Sequence, residues 1–412
     1  MSAPTAFCAR QSFLPYCLPF IGEEEIQEVV DTLRSGWVTT GPKVKRFESE
    51  FARYIGVKHA VAVSSCTAAL QVSLAALDIG SGDEVIVPTL TFCATANVVA
   101  QLGATPVVVD VDRNFQISLE AVERAITART RAVIPVHYAG QACDLDEILR
   151  LASGRGLAVV EDAAHAVGSE YRGQKIGAHG RAAAFSFYAI KNMTTGEGGM
   201  ITTNDGALAG RMRVLSLHGM SRDAWKRYTD AGSWYYEVVE LGFKYNMTDV
   251  QAALGIHQLR RLEGFIARRQ QIAAAYDRAF AGLPEVSIPP RLSGRNHVFH
   301  LYPIRLRTER LRLNRAQFIE QLTARNIGSS VHFIPLHRHP LYRDRYGCRP
   351  EQFPVAEEIY QGLLSLPLYP KMTDQDVADV IAAVGDIVAA HRIPADLPRE
   401  KGVSSAAIRP EP

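Results

Sequence analysis

Lys191 is the lone lysine of SFYAIKNMTTGEGGM, residues 186–200, among the hydroxyls Ser186, Tyr188, Thr194 and Thr195 and the glycines Gly196, Gly198 and Gly199. Apolar runs, RAAAF and MITTN, flank it, so the stretch reads as a connection between two strands. A lysine there is either a solvated side chain on a tight turn or an amine held in place to form a Schiff base. Four further clusters bear on that choice. Ser64-Ser65-Cys66-Thr67 opens a helix, where hydroxyls cap the first turn and exposed amides also bind phosphate. Phe92 either fills a core or covers a flat ring. Asp162 ends the apolar run LAVVED, where a carboxylate is costly without a cationic partner. His137 and His165 follow apolar runs and suit a structural or a catalytic role.

Taken together, a phosphate cradle, an aromatic cover, an aspartate for a pyridinium nitrogen and a lysine for an aldehyde fit pyridoxal phosphate. Competing chemistries lack their residues. No G-x-G-x-x-G turn follows a strand, and GSEYRGQK fails the P-loop pattern at its lysine. His332, His337 and His339 in HFIPLHRHP are interleaved with prolines and have no second ligand cluster, so no metal is expected. The six cysteines form no C-x-x-C pair and suggest neither zinc nor a disulfide framework.

The elements that must position these groups follow from the hydrophobic pattern. HAVAVS, EVIVP, TPVVVD, RAVIPV, LAVVED, RAAAFSF and GMITT are continuous apolar runs, separated mostly by helical stretches such as TAALQVSLAALDIG and LDEILRLASGRG. That alternation predicts an α/β fold with a largely parallel sheet buried on both faces. In such sheets ligands sit beyond the carboxyl ends of the strands. Every cluster above follows a strand, so one sheet edge is the expected site. An irregular arm over residues 1–20 precedes a large domain, 21–265, which begins with the amphipathic helix GEEEIQEVVDTLRSG. The run from Asp249 to Ala281 reads as one long helix or two end to end. A small α+β domain, 266–392, follows, with a strand in HVFHLYPIRL, a helix NRAQFIEQLTARNIG ending on Gly328, and an extended SSVHFIPL. The tail 393–412 reads as disordered. The net charge of +2 gives no general reason to expect nucleic acid or an anionic membrane as partner. With no apolar run of membrane-spanning length and no signal-peptide pattern at the N-terminus, the cytoplasm is the expected compartment.

Seven segments in order, GWVTTGPKV, VSSCTAAL, PTLTFCATANVV, EDAAHAVGS, SFYAIKNMTTGEGGM, LGFKYNMTDVQAALG and SVHFIPLH, resemble the DegT-type sugar-nucleotide aminotransferases. The likeness implies the aspartate-aminotransferase fold with a seven-stranded, mostly parallel sheet, and a homodimer with shared sites. It implies pyridoxal 5'-phosphate as cofactor, Lys191 as Schiff-base lysine and Asp162 as partner of the ring nitrogen. Cys66, Thr67 and Ser186 match phosphate ligands, Phe92 the residue stacked on the ring, and His165 the one beside the ring hydroxyl. Asn246 resembles an asparagine lent to the neighbouring subunit's phosphate. Trp37, Thr40 and His332 lie in segments that resemble those closing over the sugar nucleotide in that family. The implied reaction moves an amino group from L-glutamate, leaving 2-oxoglutarate, to a nucleotide-linked keto sugar. FKYNMTD departs from the commoner family pattern, which has Asn at 244 and Arg at 246, and resembles the subgroup making UDP-4-amino-4-deoxy-L-arabinose. A sugar-dehydrating branch carries His at the lysine position, which Lys191 argues against. Intact Lys191, Asp162 and Ser186 argue against a regulator without turnover.

Overall fold

The seven apolar runs form one sheet: β1 (His59–Val63), β2 (Glu84–Pro88), β3 (Thr105–Val109), β4 (Thr130–Val133), β5 (Ala158–Asp162), β6 (Ala182–Ser186) and β7 (Gly199–Thr203). The computed structural model describes residues 10–221 and 235–394. Strand order is β1-β7-β6-β5-β4-β2-β3. All neighbours pair parallel except β7, which runs antiparallel to both β1 and β6. A parallel pair needs a long crossover, whereas an antiparallel pair can close through a short connection. Residues 187–198 are that connection between β6 and β7, so the Lys191 loop belongs to the sheet's one reversal.

Both faces of the sheet are covered, which explains why its strands are apolar throughout rather than alternating. Along β5, Val160 packs into the core beneath α3 (Cys66–Ala76), while Val159 packs into the opposite core. That second core holds Phe47 and Phe51 of α2 (Pro42–Ile55), both fully buried. Burying such a side chain contributes about 1.5–3 kcal/mol. By the same alternation Asp162 points to the α3 side and Glu161 to the other. Glu161 there meets His137 at 2.9 Å, and His137 also accepts the Cys143 amide at 3.1 Å. His137 is therefore a structural histidine.

The long helical run is a single helix, Asp249–Phe280, opened by a Thr248–Gln251 capping box. Its later residues Ile272, Tyr276 and Phe280 join a third core with Tyr302, Ile304, Leu364 and Leu366 of a small antiparallel sheet. Leu14 of the arm is buried in that same core, and its amide bonds the Asn326 carbonyl at 2.8 Å. The helix expected to end on Gly328 stops at Ala324 instead. Asn326 turns the chain at φ 59°, and the Gly328 amide bonds the Leu14 carbonyl at 2.8 Å. A Cβ on Gly328 would lie 2.8 Å from the Tyr16 amide, so this glycine admits the arm rather than ending the helix. The aromatic residues Trp225, Tyr228 and Trp234 of the insertion that reads as a subunit interface, and nearly all of the 393–412 tail, lie outside the described residues.

Candidate active site

Both ends of the Lys191 loop are fixed by backbone bonds. The Phe187 amide donates to Gly198 and the Thr195 amide to Phe187, each at 2.9 Å. Thr194 adds its hydroxyl to the Phe187 carbonyl at 3.1 Å, and its own amide donates to Gln258 at 3.2 Å. Gly196 sits at φ 77°, a left-handed turn that favours glycine. Gly199 has a different reason: a Cβ there would lie 2.4 Å from the Ser65 carbonyl carbon. The end of the lysine loop thus rests directly on the turn that opens α3. In that turn Ser65 caps the helix by accepting the Ala68 amide at 3.0 Å. The amides of Cys66 and Thr67 ahead of it have no intrahelical partner, the arrangement that binds a phosphate. Ser186, the last residue of β6, shares this face.

Asp162 ends β5 and is buried. Thr95 donates to its Oδ2 at 2.8 Å and the Ala164 amide to its Oδ1 at 3.1 Å. Because the single Thr95 proton goes to the carboxylate, Thr91 must be the donor in the 2.8 Å Thr91–Thr95 contact. Burial pushes the Asp162 carboxyl above its ordinary value, against these hydrogen bonds and the nearby Lys191 charge. Burial acts oppositely on Lys191, bringing its amine down to about 8 despite Cys66 and Asp162. A buried carboxylate and a partly discharged amine therefore face one region.

Aromatic rings wall that region. Phe92 is 58% exposed, an unusual state for a phenylalanine, with its ring 5.8 Å from Phe333. Phe333 in turn stacks on His165 at 5.7 Å. Desolvation, with the Lys191 charge, holds His165 well below its usual range, so the ring is neutral. Its Nδ1 accepts the Ala139 amide at 3.3 Å, which leaves the proton on Nε2 as a donor. His332 lies 5.2 Å from Phe333, bonds Ser365 at 3.0 Å, and is brought down to about 4, first by burial and then by Lys191.

Lys191, Asp162, Cys66, Thr67, Ser186, Phe92, His165 and His332 are thus gathered at the carboxyl edge of the sheet. Trp37, Thr40 and Asn246 form a second group, with Asn246 bridged to Val63 just ahead of the turn that opens α3. Asn246 donates to the Thr40 hydroxyl at 2.6 Å, Thr40 to the Met247 carbonyl at 2.5 Å, and the Trp37 indole to the Thr40 carbonyl at 3.1 Å. Lys244 bonds Asn246 at 2.5 Å. Among the described residues no hydrogen bond or ring contact joins this group to Lys191. The sequence reading did not single out Thr95, Asn192, Arg269 or His300. Asn192 holds the His300 ring at 3.2 Å and the Val298 carbonyl at 3.3 Å, pinning the loop one residue after Lys191. The signals for these four were weak: two lie mid-helix or near a helix start, and two make contacts far along the chain.

The pattern of the DegT/DnrJ/EryC1/StrS aminotransferase family matches residues 19–385. The chain belongs to that family. The spore coat polysaccharide biosynthesis protein SpsC of Bacillus subtilis is 54% identical over 381 residues, 92% of this chain and 98% of SpsC. Spr1654 of Streptococcus pneumoniae, solved in its PMP form, is 36% identical with a TM-score of 0.86, covering 92% of this chain and 99% of that one. Helicobacter pylori PseC, an aminotransferase involved in pseudoaminic acid biosynthesis, is 30% identical with a TM-score of 0.85, covering 92% of this chain and all of its own. As a DegT-type protein the chain has the aspartate-aminotransferase fold and is a pyridoxal-phosphate-dependent sugar aminotransferase. Its residues fit the cofactor: an exposed ring platform at Phe92, a buried carboxylate at Asp162, and a phosphate-binding turn against Gly199.

Proposed function

We propose that this chain transfers the amino group of L-glutamate to a nucleotide-linked keto sugar, at C4 of a UDP- or dTDP-linked sugar. The observation that carries the reading is the half-buried Lys191, its amine brought down to about 8 by desolvation beside Asp162, on a loop fixed at both ends. Pyridoxal phosphate, when bound, supplies an aldehyde that condenses with amines and a ring that takes up an electron pair. The residues of the chain do the rest. Asp162 holds a proton on the ring nitrogen by its charge. The Cys66 and Thr67 amides with Ser186 anchor the phosphate, Phe92 covers one ring face, and His165 donates from Nε2 to the ring hydroxyl. Lys191 Nζ, freed when the donor amine takes its place, would accept the donor's α-proton as general base, and in the reverse half-reaction would deliver a proton to the sugar carbon. Its lowered proton affinity suits that task near neutral pH.

Sugar acceptors are supported by the family and by the likeness to SpsC. The FKYNMTD segment favours the subgroup that aminates a UDP-linked 4-keto pentose. In this reading two chains build two sites, and Asn246, with Trp37 and Thr40 beside it, serves the site of the other chain. The test is a panel of UDP- and dTDP-4-keto sugars with L-glutamate, read by mass spectrometry of the amino sugar and by 2-oxoglutarate release. Release of 2-oxoglutarate without amination of any nucleotide-linked keto sugar would sink the acceptor assignment.

A further inference from the structure

A narrow gap of about 10 Å³ lies beside Lys191, walled by Arg269, Gln258, Thr194, Phe265 and Phe20. One water needs roughly 10–15 Å³ of such space and two or more polar partners. Arg269, on the long helix Asp249–Phe280, is 1% exposed. Its Nη1 donates to the carbonyls of Phe299 and His300 at 3.2 Å each and of Leu368 at 2.8 Å. Its Nε–H makes no hydrogen bond of ordinary geometry among the described residues, although the Cys17 thiol lies near the guanidinium and donates to the Ile190 carbonyl at 3.6 Å. A buried donor left unpaired is costly, the more so on a charged group. The other polar groups of the wall are committed: Thr194 donates to Phe187, and Gln258 donates to Phe20 and Glu25 at 2.8 Å each. Lys191 Nζ makes no hydrogen bond among the described residues. The two residues that carry these nitrogens therefore line one gap of single-molecule size.

We propose that this gap binds one structural water, which accepts from Arg269 Nε–H and donates to the lone pair of the Lys191 amine. A halide could accept from Arg269 but has no proton to offer the amine, so the site is built for water. When Nζ takes up a proton, the water turns from donor to acceptor without leaving. The amine thus changes charge against a partner already in place, which avoids reorganisation during proton transfer. Arg269 acts through the water and is a positioning residue. The inference rests on the reading of Lys191 as the reacting amine.

A crystal structure of the cofactor-loaded enzyme, at a resolution that places waters, should show a single peak bonded to Arg269 Nε. A parallel bromide soak should show no anomalous peak there. A bare gap, or bromide in it, overturns the proposal. Arg269→Lys keeps the cation and removes the Nε–H. Capture of added pyridoxal phosphate by Lys191, followed by absorbance, should slow about tenfold and lose the solvent isotope effect of the native protein. An unchanged rate and isotope effect in folded Arg269→Lys overturns the proton role. Should that variant not fold, the structure of the unaltered protein still decides. Borohydride fixation of cofactor on Lys191 tests the underlying reading separately, since it can succeed while the gap proves bare.

Discussion

The Thr95 hydroxyl donates to the Asp162 carboxylate at 2.8 Å, joining the start of one helix to the end of the central strand β5. This bond aims the carboxylate while the Ala164 amide holds its other oxygen. Asp162→Asn keeps the shape and removes the charge, so kcat should fall about 10²- to 10³-fold, as for other preorganised electrostatic groups. Thr95→Val should reduce kcat less, because one donor to the carboxylate remains. Steady-state kinetics with a saturating donor measure both. An unchanged kcat in Asp162→Asn would remove Asp162 from the mechanism.

Lys191 is expected to carry the cofactor. Borohydride treatment of the yellow protein, followed by peptide mapping, should place the label on Lys191. Lys191→Ala should still bind pyridoxal phosphate by the other contacts and lose transamination. A label on a different lysine ends the assignment.

Reactivity of Lys191 should follow its lowered proton affinity. Below pH about 8 the amine of the cofactor-free protein is mostly an ammonium and inert; above it the lone pair is free. An amine-directed reagent should therefore label Lys191 with a midpoint near pH 8, below the range in which an ordinary lysine side chain reacts. A Lys191 midpoint above 10 would show that the amine is not desolvated.

His332 is neutral across the working range, being brought down to about 4. Its role is therefore steric or hydrogen-bonding rather than ionic. His332→Ala should raise the keto-sugar KM without removing a titration near pH 6 from the pH profile. If KM and kcat both stay at native values, His332 does not meet the substrate.

Site sharing has a direct test. Asn246→Ala should weaken cofactor retention by itself. Mixing Lys191→Ala with Asn246→Ala chains should then restore up to half the native activity per hybrid dimer, since one site regains both residues. With subunit exchange verified, no restoration means each chain completes its own site.

The strands and the lysine loop were legible because their causes are local: buried parallel strands need unbroken apolar runs, and a sharp reversal needs glycine. The end of the helix at Ala324 was not legible. Gly328 looks like a stop signal, yet its lack of a side chain serves the close passage of Tyr16, a contact from the far end of the chain. Arg269 and His300 were hidden for the same reason. Each reads as an ordinary polar residue in its own segment, and only the fold places Arg269 in the wall beside Lys191 and His300 on Asn192. The Asp162 and Lys191 pair was visible in the sequence, whereas the opposite shifts of their proton affinities depend on burial.

Gly199 against Ser65 also fixes an order of events for a newly made chain. The turn that opens α3 follows the first strand, and the Lys191 loop precedes the last. The two meet only when β7 slots in between β1 and β6, a pairing of distant segments that forms slowly. Until that closure the turn and the lysine loop do not face one another, so the place where they touch exists only in the finished sheet.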